Sequence, residues 1–120
     1  MTKPTVTYER FDLVRLPLPF TDREATTRWP ALIISSAVVL GPVSQAVMVR
    51  ITSTDHSAWP LDHRIQDLEA AGLHHASVVR FKLFTLDDRL IPENLGRLVL
   101  NDQSAVRTAR GSLFAVAGTQ

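Results

Sequence analysis

GLHHASVVRFKLFTLD, residues 72–87, is the stretch on which the fold turns. Its centre, Val78 to Leu83, alternates with a period of two: Val79, Phe81 and Leu83 fall on one face and Val78, Arg80 and Lys82 on the other. That period belongs to a β-strand, and the β-branched and aromatic content fits a half-buried sheet surface. Two cations therefore project from one face. Gln45 to Thr52 repeats the pattern, with Val47, Val49 and Ile51 set against Ala46, Met48, Arg50 and Thr52. Arg50 and Thr52 share a face, so the chain holds two strands that each carry a cationic side.

Outward from this pair, the remaining segments read as short β elements closed by one helix. Phe11 to Leu16 predicts a first strand, and the prolines at 17 and 19 end it because neither supplies an amide donor. A loop then runs from Pro17 to about Arg28. Ala31 to Ser35, entered after Pro30, predicts a buried strand, and Gly41-Pro42 breaks the apolar run at 37–40. Residues 53–60 predict a polar loop, and Ile65 to Ala71 a short helical turn stopped by Gly72. Near the end, Asn101 or Asp102 caps a helix whose stripe is Val106, Ala109, Leu113 and Val116 or Ala117, stopped by Gly118. Residues 1–7 and 118–120 are expected to be loose.

A chain of 120 residues is one domain, 1–120, and its 45% hydrophobic content is enough to close a core without disulfide or metal staples. The net charge of +1 means that nucleic-acid binding needs a local basic patch, since no global field is present. With no cysteine, thiol nucleophiles and Cys-based zinc sites are excluded. His56, His63, His74 and His75 lack ligand spacing, and the five glycines are isolated, so neither a metal nor a phosphate-loop cofactor is expected. The apolar runs at 31–34 and 37–40 are too short to span a membrane, and MTKPTVTYER carries charges where a signal peptide needs an apolar core. The expectation is a soluble, cytoplasmic protein without a membrane partner.

The residues that carry chemistry are Arg28, the Arg50 and Thr52 face, and the Arg80 and Lys82 face. If these faces meet they form a phosphate site, because guanidinium groups present paired donors and stay charged at working pH. The bland reading is that Arg and Lys keep exposed strands soluble. Trp29 and Trp59 border the same loops, as stacking surfaces for bases or as packing residues. A histidine oriented by Asp55 or Asp62 is a second acid–base arrangement, against which stands ordinary solvated surface.

The succession FDLVRLPLPFTD, RWPALIIS, VRITS, GLHHASVVRFKLFTLD and LGRL, over residues 9–117, resembles the PemK/MazF family of toxins in order and spacing. The resemblance implies an α+β, β-rich chain: a small antiparallel β-barrel, CcdB-like, with short helices and a C-terminal helix. It also implies a homodimer that cuts single-stranded RNA without metal or cofactor and is restrained by a cognate antitoxin. In that pattern Thr52 and Ser53 match the hydroxyl pair near the scissile phosphate. Arg80 matches an arginine that serves related toxins as acid and charge stabiliser, and a guanidinium pKa above about 12 favours the second role. Arg28 is the third catalytic candidate. Trp29, Arg50, Lys82, Thr21 and Asp22 complete the RNA-binding set, the last two through a loop that grips both RNA and antitoxin.

The pattern departs at two places. Related toxins carry arginine directly before the proline where this chain has Trp29, and some carry an Asp general base where it has Lys82. Asp22, Glu24, Asp55 and His56 are the candidates left for the base. A non-cleaving binder, CcdB-like or a catalytically weakened relative, is the competing reading.

Overall fold

A computed structural model describes residues 8–17, 28–55 and 57–115. Six strands form one antiparallel sheet: β1 (Asp12–Pro17), β2 (Arg28–Ile33), β3 (Gln45–Ser53), β4 (His63–Arg64), β5 (Ser77–Asp87) and β6 (Glu93–Arg97). The spatial order is β4-β5-β3-β2-β1-β6. Three helices accompany them, α1 (Ala37–Leu40), α2 (Leu68–Ala71) and α3 (Leu100–Leu113), with single 3-10 turns at Gly41–Val43 and Asp88–Leu90. None of these helices is long and apolar enough to cross a membrane.

Alternation along the strands sorts the apolar residues into two clusters, one on each face. Leu13, Leu32, Val49, Ile51, Val79 and Phe81 face α3, whose Val106 and Ala109 complete that core together with Ile65 and Ala71. Val14, Leu16, Ala31, Ile33, Ala46 and Met48 occupy the opposite face with Ile91, and Tyr8, Phe84 and Leu86 pack against them. Both alternating sets of β3 are therefore largely buried, and its polar residues lie toward the two ends, Gln45 at the start and Arg50, Thr52 and Ser53 beyond the second cluster.

The sheet curls until its ends approach each other. The helix α2 follows β4 at one edge yet packs on β6 at the other. Two glycines permit the approach: a Cβ on Gly72 would run into the carbonyl of Leu95, and one on Gly96 into the carbonyl of Ala70. Gly72 also ends α2 in the left-handed conformation, φ 77°, with its N–H donating to Glu69 and Leu68 carbonyls.

Several predicted boundaries move. Phe11 lies outside β1 because its φ is 77°; its N–H donates to the Ile33 carbonyl (2.7 Å), and its ring is core. Pro30 lies inside β2 instead of before it. Pairing with β3 begins only at Ala31, so Pro30 has a strand neighbour on one side alone, where a residue without an amide donor is tolerated. Strand β5 runs on to Asp87, and a bulge inserts Phe81 and Lys82 between the pairs Arg50↔Arg80 and Val49↔Leu83. Leu83 is consequently 40% exposed.

The cap of α3 is also corrected: Val99 is the N-cap, without a side-chain bond, and Asp102 lies inside the first turn with no exposed surface. Its carboxylate leaves its own helix. It pairs with His63 Nε2 (2.7 Å) and accepts from the amides of Gln66 (3.0 Å) and Asp67 (3.2 Å). Leu113 is half-exposed, and 116–118 lie outside the described residues.

Burial alone would raise the Asp102 pKa, but hydrogen bonds from Gln66, His63 and Asp67 outweigh it and hold the carboxyl below its ordinary value. A depressed pKa contributes stability above the unfolded value, about 3.9, and loses it as pH falls through the folded value. Urea unfolding should therefore show a loss below about pH 4 that Asp102→Asn flattens, with the variant weaker by about 1–3 kcal/mol at neutral pH. Gly96→Ala should cost about 1–3 kcal/mol in the same assay, since a backbone carbonyl must move.

Candidate nucleic-acid interface

Arg50 and Arg80 are register partners across β3 and β5, and paired residues of an antiparallel sheet share a face. The two cationic faces read from the sequence are thus one surface. It forms a cleft of about 590 Å³ whose lining includes Trp29, Arg50, Thr52, Ser53, Arg80 and Lys82. The cleft sits beside the part of β2 that lacks a β3 partner, which puts Trp29 and Pro30 on its wall.

Two tryptophans each carry a cation. The Arg50 guanidinium lies 3.9 Å from the Trp29 ring centroid, and the Lys82 ammonium 4.4 Å from that of Trp59. Stacking of this kind fixes the charge while leaving ring edges open. Trp29 thus holds the Arg50 guanidinium at the cleft wall, next to Pro30.

Arg80 is 9% exposed and firmly held. Its Nε donates to Asp62 Oδ1 (3.2 Å), and its Nη2 donates to Asp62 Oδ2 (2.8 Å) and to the Ser57 carbonyl (2.6 Å). The hydrogen bond to Asp62 raises the Arg80 pKa against a smaller lowering by desolvation, which makes the group a poorer proton donor. Arg50 goes the other way: burial lowers its pKa and the charge of Arg80 lowers it further. Its Nε is buried without a hydrogen-bond partner among the described residues.

Thr52 and Ser53 end β3 at the cleft wall, and the Ser53 Oγ accepts from the Asp55 amide (3.0 Å). Arg28 contributes the first backbone position of β2; its side chain lies outside the description, as do Thr21, Asp22, Glu24 and His56. Two placements do not show in the sequence. Asp62 is brought to Arg80 by a segment with no periodicity. His74 and His75 line the cleft. Among the described residues the histidine–carboxylate pair is His63 with Asp102, and none is formed with Asp55 or Asp62. Among the described residues, no cluster of three or more His, Asp or Glu is placed to hold a metal.

A curled antiparallel sheet with a C-terminal helix and a cationic, tryptophan-flanked cleft defines a small protein of the β-barrel class. The family model described as PemK-like, MazF-like toxin of type II toxin-antitoxin system matches residues 9–113, and the chain belongs to that family. The fold is shared with the MazF of the MazE–MazF crystal structure from Deinococcus radiodurans: TM-score 0.72 and 21% identity, over 94% of this chain and 100% of that one. The Mycobacterium tuberculosis toxin MazF-mt6 aligns with TM-score 0.67 and 20% identity, over 86% and 95%. An endoribonuclease in complex with its cognate antitoxin, from a mycobacterial species, aligns with TM-score 0.67 and 17% identity, over 90% and 93%. No curated protein matches the chain significantly by sequence.

Asp62 also accepts from the Trp59 amide (3.0 Å), so one carboxylate ties residues 57–62 to β5. Asp62→Ala should release this segment, read as faster hydrogen exchange at the Trp59 and Asp62 amides with β3 and β5 protection unchanged.

Proposed function

We propose that this toxin is an endoribonuclease that cuts single-stranded RNA without a metal, by attack of a 2′-hydroxyl on the adjacent phosphate. The products are a 2′,3′-cyclic phosphate and a 5′-hydroxyl. The observation that carries the reading is Arg80 opposite Arg50, beside Thr52 and Ser53, in one cleft. Two guanidinium groups at one point match the charge that a pentacoordinate phosphorane adds to a phosphodiester, and charge aimed at a transition state is the larger part of such catalysis. Arg80, held by Asp62, stabilises that charge and does not donate the proton. Arg50 and Lys82 hold the flanking backbone, the Thr52 and Ser53 hydroxyls contact the phosphate, and Trp29 and Trp59 receive bases. Arg28, Thr21 and Asp22 extend the RNA contact from the first loop. The natural partners are a cognate antitoxin and a second copy of the chain, as in the resemblance, with action in the cytoplasm.

A second reading, a binder that does not cut, is favoured by Trp29 ahead of Pro30 and by Lys82 in place of an acid. Purified protein on a long single-stranded transcript in EDTA separates the two. Cleavage with 5′-hydroxyl ends, reduced by a factor of about 100 or more in Arg80→Ala, supports the nuclease; RNA binding without cleavage supports the binder. Trp29→Ala removes a stacking surface and the support of Arg50, and should weaken RNA binding by about 5- to 150-fold, measured by fluorescence anisotropy.

A further inference from the structure

We propose that the His74–His75 pair accepts the 2′-hydroxyl proton in this cleavage, an assignment that rests on the endoribonuclease reading above. In the step, an O2′–P bond forms and the P–O5′ bond breaks, its electron pair leaving on O5′. The O2′ proton passes to an imidazole nitrogen and O5′ takes a proton from solvent, so no co-reactant is consumed.

Elimination within the described cleft points to these rings. Protonated arginine and lysine carry no acceptor lone pair, which removes Arg50, Arg80 and Lys82. The hydroxyls of Thr52, Ser53 and Ser77 are neutral groups that keep their own proton at working pH and are poor proton acceptors; Ser77 donates to the His75 carbonyl (2.7 Å), and Ser53 Oγ accepts from the Asp55 amide (3.0 Å). The carboxylate nearest to Arg80, Asp62, has both oxygens occupied, Oδ1 by Arg80 Nε and Oδ2 by Arg80 Nη2 and the Trp59 amide. Imidazole is the side chain that offers a free acceptor nitrogen near neutral pH. Both histidines are exposed, line the cleft, and make no side-chain hydrogen bond among the described residues.

The loop that bears them is anchored at each end. Ahead of it, the left-handed Gly72 lies against the Leu95 carbonyl and the Leu73 amide donates to Leu68 (2.9 Å). Behind it, the Thr54 amide donates to the Ala76 carbonyl (3.2 Å), tying the loop to the end of β3 that carries Thr52 and Ser53. The charged side chains that line the cleft with the two rings are Arg50 from β3 and Arg80 and Lys82 from β5, and Asp62, from the segment before β4, pairs with Arg80 behind them.

The test compares wild type with His74→Gln, His75→Gln and the double variant. Single-turnover cleavage is measured from about pH 5 to 9, beside affinity for the same RNA with a 2′-deoxy nucleotide at the scissile position. The wild-type rate should rise through the histidine range, and the double variant should lose that rise and at least about 100-fold in rate, with affinity for the deoxy analogue kept. The single variants show how the role divides between the rings. A double variant with wild-type rate and pH profile overturns the assignment and leaves the nuclease reading intact. One that loses rate only in step with affinity overturns it too, making the pair a binding element. A wild type that binds the RNA but does not cut removes both.

Discussion

The carboxylate of Asp102 organises the working half of this molecule from a place with no access to solvent. A buried anion is costly unless donors surround it, and here His63 and the amides of Gln66 and Asp67 do so. Those donors come from β4 and the segment that links it to α2, so satisfying the charge fixes both against α3. Two consequences run outward from it. Asp62, next in chain to His63, is set where it grips Arg80. On the other side α2 is placed so that Gly72 and Gly96 close the sheet, and the loop after Gly72 carries His74 and His75 to the cleft.

What was legible in the sequence is what local periodicity encodes. The alternation in β3 and β5 located both strands and put Arg50, Thr52, Arg80 and Lys82 on their proper faces, and the order of five short motifs matched a family whose model covers residues 9–113. Contacts that join residues far apart in chain left no such trace. Asp62 to Arg80 spans 18 residues and His63 to Asp102 spans 39, and neither side chain sits in a repeating pattern. Asp102 was the instructive error: an Asp near a helix start reads as a cap, because the first-turn amides need acceptors, yet this one turns to amides of another segment. Pro30 misled for a similar reason, since a sequence does not reveal which side of a strand is unpaired.

The two departures from the family pattern acquire a physical sense together. An arginine absent from the position before Pro30 is offset by Trp29, whose ring carries the guanidinium of Arg50 from the neighbouring strand. The charge of Arg50 reaches the cleft from β3. Lys82 lies within the bulge of β5, where the pairing with β3 is interrupted, and its ammonium rests on Trp59. Cation and ring are therefore coupled twice at the rim, so a base stacking on either tryptophan must share or displace a cation that a phosphate can then receive.

The cleft is electrostatically unbalanced by its own residues. Among the described residues, Arg80 has a carboxylate partner, whereas Arg50 has the face of a ring, an Nε with no hydrogen-bond partner, and a second guanidinium opposite. Burial and that like charge both work against its protonated form, hence its lowered pKa. An anion entering between the two strands supplies an acceptor and turns the repulsion into a shared attraction. An anion with more charge gains more, and a phosphodiester acquires one further negative charge on the way to its pentacoordinate state. Under the proposed nuclease reading, a preference for the transition state over the bound substrate would grow from the same imbalance that sets the two guanidinium groups against each other.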